Sequence, residues 1–195
     1  MKNLMSQLRT ALVATVLLAV ILCGVYPALV WTMAQALFPE RANGSLVVQN
    51  GKIVGSELIG QNFTDAKYFH PRPSMAGDVG YDATSSGGSN LGPTSKKLID
   101  LIKKRVEAFR AENNLPLSVK VPVDAVTASA SGLDPHISVR NALLQVPRIA
   151  KDRGMEEKAV VEKIEANTQG RDLYILGEPR VNVLTVNLSL DARRF

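Results

Sequence analysis

The sequence predicts an α+β protein with one N-terminal transmembrane helix followed by a single mixed domain. Three observations carry this expectation. Residues 11–37 contain no charged side chain. Asn50-Gly51 stands between two runs rich in aliphatic residues, a strong hairpin signal. Beyond Ser95, apolar residues recur at spacings of three and four, and near the C-terminus at spacings of two, so helices and strands are mixed.

As a helix, residues 11–37 would measure about 40 Å at about 1.5 Å per residue, more than the roughly 30 Å of a bilayer's hydrocarbon core. Tilt, or a kink near Gly24 and Pro27, absorbs the excess. Trp31 and Phe38 lie toward the far end, where aromatic rings favour the headgroup zone. The rival is a cleaved signal peptide, with Ala34-Gln35-Ala36 as the small-residue cleavage site. Its apolar stretch is normally roughly 7–15 residues, and this run is far longer. Lys2 and Arg9 precede the run, and Glu40 and Arg41 follow it. The positive side stays inside, so residues 1–10 form a cytoplasmic tail and residues 38–195 an extracytoplasmic domain.

All 18 acidic residues and 21 of the 23 Lys and Arg follow the membrane run, so the domain nets only +3. No clustered basic face marks it for nucleic acid. Cys23, the only cysteine, sits inside the membrane run, which leaves no intrachain disulfide and no cysteine zinc site.

Within the domain, residues 45–49 and 52–57 form the hairpin around Asn50-Gly51. Residues 63–93 are punctuated by Pro71, Pro73, Gly77, Gly80, Gly87, Gly88, Gly92 and Pro93, and should be irregular. Phe63, Tyr68, Phe69 and Tyr81 within it predict an ordered, packed segment. Ser95 caps a helix to about residue 113, with Leu98, Ile102, Val106 and Phe109 on its apolar face. Lys96, Lys97, Lys103, Lys104 and Arg110 form its solvated face. Residues 118–129 read as two short strands around Pro122. Ser138 starts a second helix that Pro147 should break or kink. Residues 155–168 make a third helix, ended by Gly170. Residues 181–190 alternate as a strand, with a bulge at Val183-Leu184.

The residue patterns supply no active site. Gly87 and Gly92 have phosphate-loop spacing, but Pro93 stands where the lysine belongs. His70 and His136 lie in His-Pro-Arg-Pro and Asp-Pro-His contexts, not at the helical i, i+4 spacing of a metal pair. The serines belong to no nucleophile elbow. The domain therefore reads as a non-catalytic binding or assembly module, with no metal site.

The segments Ala42-Asn43-Gly44-Ser45-Leu46, Leu58-Ile59-Gly60-Gln61-Asn62-Phe63 and Tyr68-Phe69-His70-Pro71-Arg72-Pro73-Ser74 carry a family resemblance. So do Ser86-Gly87-Gly88-Ser89-Asn90-Leu91, Val126 through Asp134, Gln145-Val146-Pro147-Arg148-Ile149-Ala150, and Gly24-Val25-Tyr26-Pro27 in the membrane run. In this order, over nearly the whole chain, they resemble the C subunit of the bacterial Kdp potassium-transporting ATPase. The resemblance implies an accessory subunit of a plasma (inner) membrane complex that imports K⁺ using ATP. Its implied partners are a channel-like subunit that selects K⁺ and a P-type subunit that hydrolyses ATP. The chain itself is implied to act as a catalytic chaperone, raising the P-type subunit's affinity for ATP.

Two nucleotide contacts are implied. Ser86-Gly87-Gly88-Ser89 is similar to the signature loop of ABC transporters, with Ser89 in place of glutamine, and Gln145 is the best-placed glutamine in a family motif. The plainer expectation is a turn of small residues and a glutamine on a helix surface. For the partner interface, Gly24 in the membrane helix and Tyr68, Phe69 and Arg72 in the irregular segment are the expected contacts. The competing expectation makes those aromatics a satellite of the core. A nucleotide-binding regulator with a cytoplasmic domain and a membrane-tethered extracytoplasmic hydrolase are the alternative functions.

Overall fold

The computed structural model describes residues 2–192. A continuous rod opens the chain: α1 (Lys2–Ala19), a π-helical stretch (Val20–Val25) and α2 (Tyr26–Leu37). The rod is 35 residues long from Asn3 to Leu37, its most apolar 18-residue stretch has a mean hydropathy of 2.5, and none of that stretch is buried inside the chain. It is long and apolar enough to cross a membrane. The π stretch explains how Pro27 is tolerated. Proline cannot donate to the Cys23 carbonyl, and its ring crowds that oxygen. Widening the turn just before it, with Tyr26 N–H reaching back five residues to the Ile21 carbonyl, makes the room. The π stretch lies next to Pro27, where the sequence suggested a kink.

A short turn of helix, α3 (Pro39–Ala42), joins the rod to the domain. The joint is bonded throughout. The Gln35 and Asn43 amides exchange hydrogen bonds of 3.3 Å, and Asn43 Nδ2 donates to the Pro39 carbonyl at 2.7 Å. Ser45 N–H reaches the Glu40 carbonyl at 2.9 Å, and Ser56 Oγ donates to the Gly44 carbonyl at 2.7 Å.

The hairpin follows as β1 (Leu46–Gln49) and β2 (Lys52–Ser56), antiparallel, with a register irregularity between Val47 and Val48. Asn50 and Gly51 have φ of +50° and +74°, as a type I′ turn requires. Residues 57–95 carry no long regular element, as expected. α4 (Lys96–Glu112) begins at Ser95, whose side chain accepts from Leu98 N–H. Arg110, expected on the solvated face, instead donates to the carbonyls of Leu117 (3.1 Å) and Val119 (2.9 Å) and ties down the next loop.

Three expectations fail here for physical reasons. Residues 118–129 form no strands; they hold one 3₁₀ turn, Val123–Ala125. Pro122 has no N–H for a ladder, and Asp124 is used elsewhere, accepting hydrogen bonds from Ser138, which caps the next helix. After β3 (His136–Ser138), α5 (Val139–Arg153) continues unbroken past Pro147. Pro147 lies on the exposed face, as does Leu143, so water can reach the carbonyl freed four residues back. Residues 183–191 are helix α7 (Val183–Asp191), and only Arg180–Asn182 is strand, β5. Asn182 caps α7 by accepting from Thr185 N–H at 3.2 Å. Val183, Leu184, Val186, Asn187 and Leu190 are buried, a helical face that coincides with the alternation seen in sequence.

The third expected helix is α6 (Glu157–Ala166), and Thr168–Gln169 leaves it to become β4. β5 is the middle strand of an antiparallel sheet in the order β3-β5-β4. Ile137 and Val181 from this sheet pack with Val146 and Ile149 of α5, Val160 and Ile164 of α6, Val186 and Leu190 of α7, and Phe69. That cluster is the hydrophobic core.

Candidate functional site

The irregular segment is held to the core by two buried amides. Phe69 N–H donates to Asn187 Oδ1 at 2.8 Å, and Asn187 Nδ2 donates back to the Phe69 carbonyl at 3.0 Å. The next residue repeats the pattern. His70 N–H donates to Gln145 Oε1 at 2.8 Å, and Gln145 Nε2 donates to the His70 carbonyl at 3.2 Å. Asn187 and Gln145 are each 1% exposed. Their amides satisfy main-chain groups that a strand partner would otherwise have to satisfy.

Gln145 belongs to a polar row along α5. Ser138, Asn141, Gln145 and Arg148 recur at spacings of three, four and three, so they share one helix face. Asp124 starts the row, accepting from Ser138 N–H (2.8 Å), Ser138 Oγ (2.9 Å) and Asn141 Nδ2 (2.9 Å). Gln145 Nε2 donates on to Asn141 Oδ1 at 3.0 Å, and Arg148 Nη2 to Gln145 Oε1 at 2.8 Å. Arg148 also donates from Nε to Asn113 Oδ1 at 3.1 Å and from Nη1 to the Ala66 carbonyl. Its Nε lies 3.7 Å from Glu112, whose carboxylate meets His70 Nδ1 at 2.5 Å. The His70 hydrogen bond outweighs partial burial and lowers the Glu112 pKa.

Arg72 and Asp134 form a second link across the segment, with Nη1 and Oδ2 2.6 Å apart. Asp134 also accepts from His136 N–H at 3.0 Å, with the His136 ring 3.5 Å away. Burial pushes the Asp134 carboxyl up. The His136 hydrogen bonds and the Arg72 guanidinium more than offset this and hold it at about 2. The carboxylate therefore stabilises the fold above its ordinary value of 3.8, and that contribution fades as pH falls toward about 2. We expect the melting-temperature gap between the unaltered chain and Asp134→Asn to shrink as pH is lowered through this interval. A gap independent of pH would show that the Asp134 charge contributes nothing.

The residues expected to carry function are therefore placed as follows. Gln145 is buried, not on a helix surface, and both ends of its amide are engaged inside the chain. Ser86, Gly87 and Gly88 run against residues 130–132, and Ser89 follows them half-buried. Ser86 Oγ and Gly87 N–H both donate to the Ser131 carbonyl, at 3.0 and 2.9 Å. A Cβ on Gly88 would lie 2.9 Å from the Ala130 carbonyl oxygen, so chain-to-chain contact accounts for the small residue. Ser86 and Gly87 bond to Ser131, whereas Gln145 bonds to His70, Asn141 and Arg148.

Of the expected interface residues, Phe69 is 0% exposed and fills the core. Tyr68 is half-buried, its hydroxyl donating to Asp191 at 2.8 Å and its ring lying 4.9 Å from the Arg153 guanidinium. Arg72 keeps contact with solvent but has its partner within the chain. Gly24 is exposed on the rod, with open space around it. Sequence reasoning missed Asn187, Asn141, Asp124 and Arg148. The available signal was polar residues recurring in register with the core face of a helix.

Comparison with known proteins places the chain in a family. The family model described as "K+-transporting ATPase, c chain" matches residues 8–192. A potassium-transporting ATPase KdpC subunit from Nitratidesulfovibrio vulgaris is 53% identical over 189 residues, covering 97% of this chain and 95% of the relative. One from Mycobacterium tuberculosis is 54% identical over 185 residues, covering 95% and 97%. One from Koribacter versatilis is 49% identical over 190 residues, covering 97% and 94%. With matches of this extent, the chain belongs to the family of K⁺-transporting ATPase c chains.

Proposed function

We propose that the chain is a non-catalytic accessory subunit of an ATP-driven potassium uptake complex in the bacterial inner membrane. Its partners are a channel-like subunit that selects K⁺ and a P-type subunit that hydrolyses ATP. The N-terminus is cytoplasmic and the domain extracytoplasmic, following the charges of Lys2 and Arg9. Potassium is carried by the partners, and ATP is bound by the hydrolysing one.

The observation that most supports this reading is the rod from Asn3 to Leu37, free of charge from residue 11 onward and uncovered by the chain's own domain over its most apolar stretch. Small residues Ala19, Cys23, Gly24 and Ala28 line a shallow depression at the π stretch, where a neighbouring helix can approach closely. The chain raises the ATP affinity of the hydrolysing subunit by coupling through the assembly, not by touching nucleotide. The engaged amide of Gln145 and the closely packed backbone of Ser86 to Gly88 support coupling over contact.

The test is co-purification of a tagged chain with the other subunits, followed by the ATP dependence of K⁺-stimulated hydrolysis with and without it. A tagged chain that emerges alone, or hydrolysis indifferent to it, would sink the proposal. In the same assay, Gly24→Leu should reduce association by roughly fivefold, about 1 kcal/mol, while leaving insertion into membranes intact. Unchanged co-purification would remove Gly24 from the contact.

A further inference from the structure

Residues 169–179 are exposed without interruption, and at their centre lie four consecutive apolar residues. Leu173, Tyr174, Ile175 and Leu176 are 79, 94, 73 and 55% exposed. This is not a slack loop. Asp172 and Leu176 exchange backbone hydrogen bonds, both 2.9 Å, closing a tight ring. Tyr174 N–H and Ile175 N–H donate to the Arg171 and Asp172 carbonyls, each at 3.2 Å. Leu173 and Tyr174 sit at φ of +52° and +65°, a left-handed conformation that neither residue favours. Below the tip, Arg171 pairs with Glu178 at 2.7 Å and Arg180 with Asp172 at 3.5 Å. The chain thus uses a strained, braced turn to display large apolar side chains to solvent, where leaving them unburied is unfavourable.

We propose that this finger is an anchor that inserts into an apolar pocket on another protein subunit of the same complex. The inference rests on the accessory-subunit reading above and adds to it the contact surface. Charge and shape select the occupant. The two neck arginines are already neutralised by the two neck acids, so the finger offers no cationic field to hold anionic lipid headgroups. A second copy of this chain fits poorly, because two convex tips bury little against each other. Size argues the same way. The tip displays four apolar side chains, whereas a stable free-standing interface takes about 20–30 residues a side. A small anchor suffices when a membrane helix already holds the domain beside its partner, since the second contact then forms at high effective concentration. The receiving pocket is apolar, with a hydrogen-bond acceptor at its base for the Tyr174 hydroxyl and a charged rim matching the paired neck.

The experiment uses the assembled potassium-transporting ATPase. A photoreactive phenylalanine analogue is placed at position 174 in the full chain, and membranes are irradiated before solubilisation. The expected product is a covalent adduct with a different polypeptide of the complex. An adduct with lipid only, an adduct with a second copy of the chain, or no adduct overturns the proposal. In parallel, the double change Tyr174→Ser with Ile175→Ser should lower the fraction retained in the solubilised complex by roughly tenfold, with the melting temperature of the chain unchanged. Equal retention overturns the anchor and leaves the accessory-subunit reading standing, whereas absence of the unaltered chain from the complex overturns both.

Discussion

Replacing Asn187 with alanine should destabilise the domain by about 2–5 kcal/mol, because it strands two buried main-chain groups at once. Phe69 N–H and C=O lie deep under α7, and Asn187 is the side chain that satisfies both. A folded domain holds only about 5–15 kcal/mol in all, so this loss is a large share of the total. Denaturant unfolding of the detergent-solubilised chain measures it. Asn187→Asp is the informative companion, because a carboxylate keeps the acceptor for Phe69 N–H but loses the donor to its carbonyl. It should fall as far as alanine or further, since it also buries a charge. A shift under about 0.5 kcal/mol for Asn187→Ala would show that water replaces the amide and that the clamp is incidental.

The second large effect is expected at Gly132. Its φ is +69°, and a Cβ there would lie 2.7 Å from the Gly87 carbonyl oxygen and 2.8 Å from Ala76 N. Both atoms are backbone, so nothing at the end of a flexible chain can move aside. Gly132→Val combines that clash with a left-handed conformation that β-branched residues strongly disfavour. We expect a chain that inserts into membranes but whose domain does not fold, seen as rapid proteolysis of residues beyond the rod. A protease-resistant Gly132→Val domain would mean that residues 86–88 and 130–132 are not packed as described. Gly87→Ala is the control. Space is open around its Cβ, so the domain should stay folded.

The elements legible in sequence were those specified by local chemistry. The charge-free run, Asn50-Gly51 and Ser95 each state their structure through one short-range rule: burial in lipid, a left-handed turn, a helix cap. Asn182 states its rule too, yet the valines and leucines after it satisfied strand and helix periods together, and their alternation favoured a strand. Tertiary context decides such a segment, because α7 is where Asn187 must lie to reach Phe69. The same limit applied at Pro147, where the outcome depended on which face of α5 met water. Gln145 was singled out from a motif, but its role could not be read without knowing that residues 69 and 70 pass beside it. No sequence rule places main-chain atoms from a region seventy-five positions away against an amide.

The joint between rod and domain has a mechanical consequence. Gln35, Asn43, Ser45 and Ser56 bond the end of α2, the α3 turn and the hairpin into one piece. Asn182 Nδ2 then donates to the Glu57 carbonyl at 2.8 Å and fastens the hairpin to the foot of α7. With no slack hinge in this path, the rod works as a lever whose long arm lies in the bilayer. A tilt or rotation of the rod would become torque on the whole domain, and load applied to the domain would reach the rod.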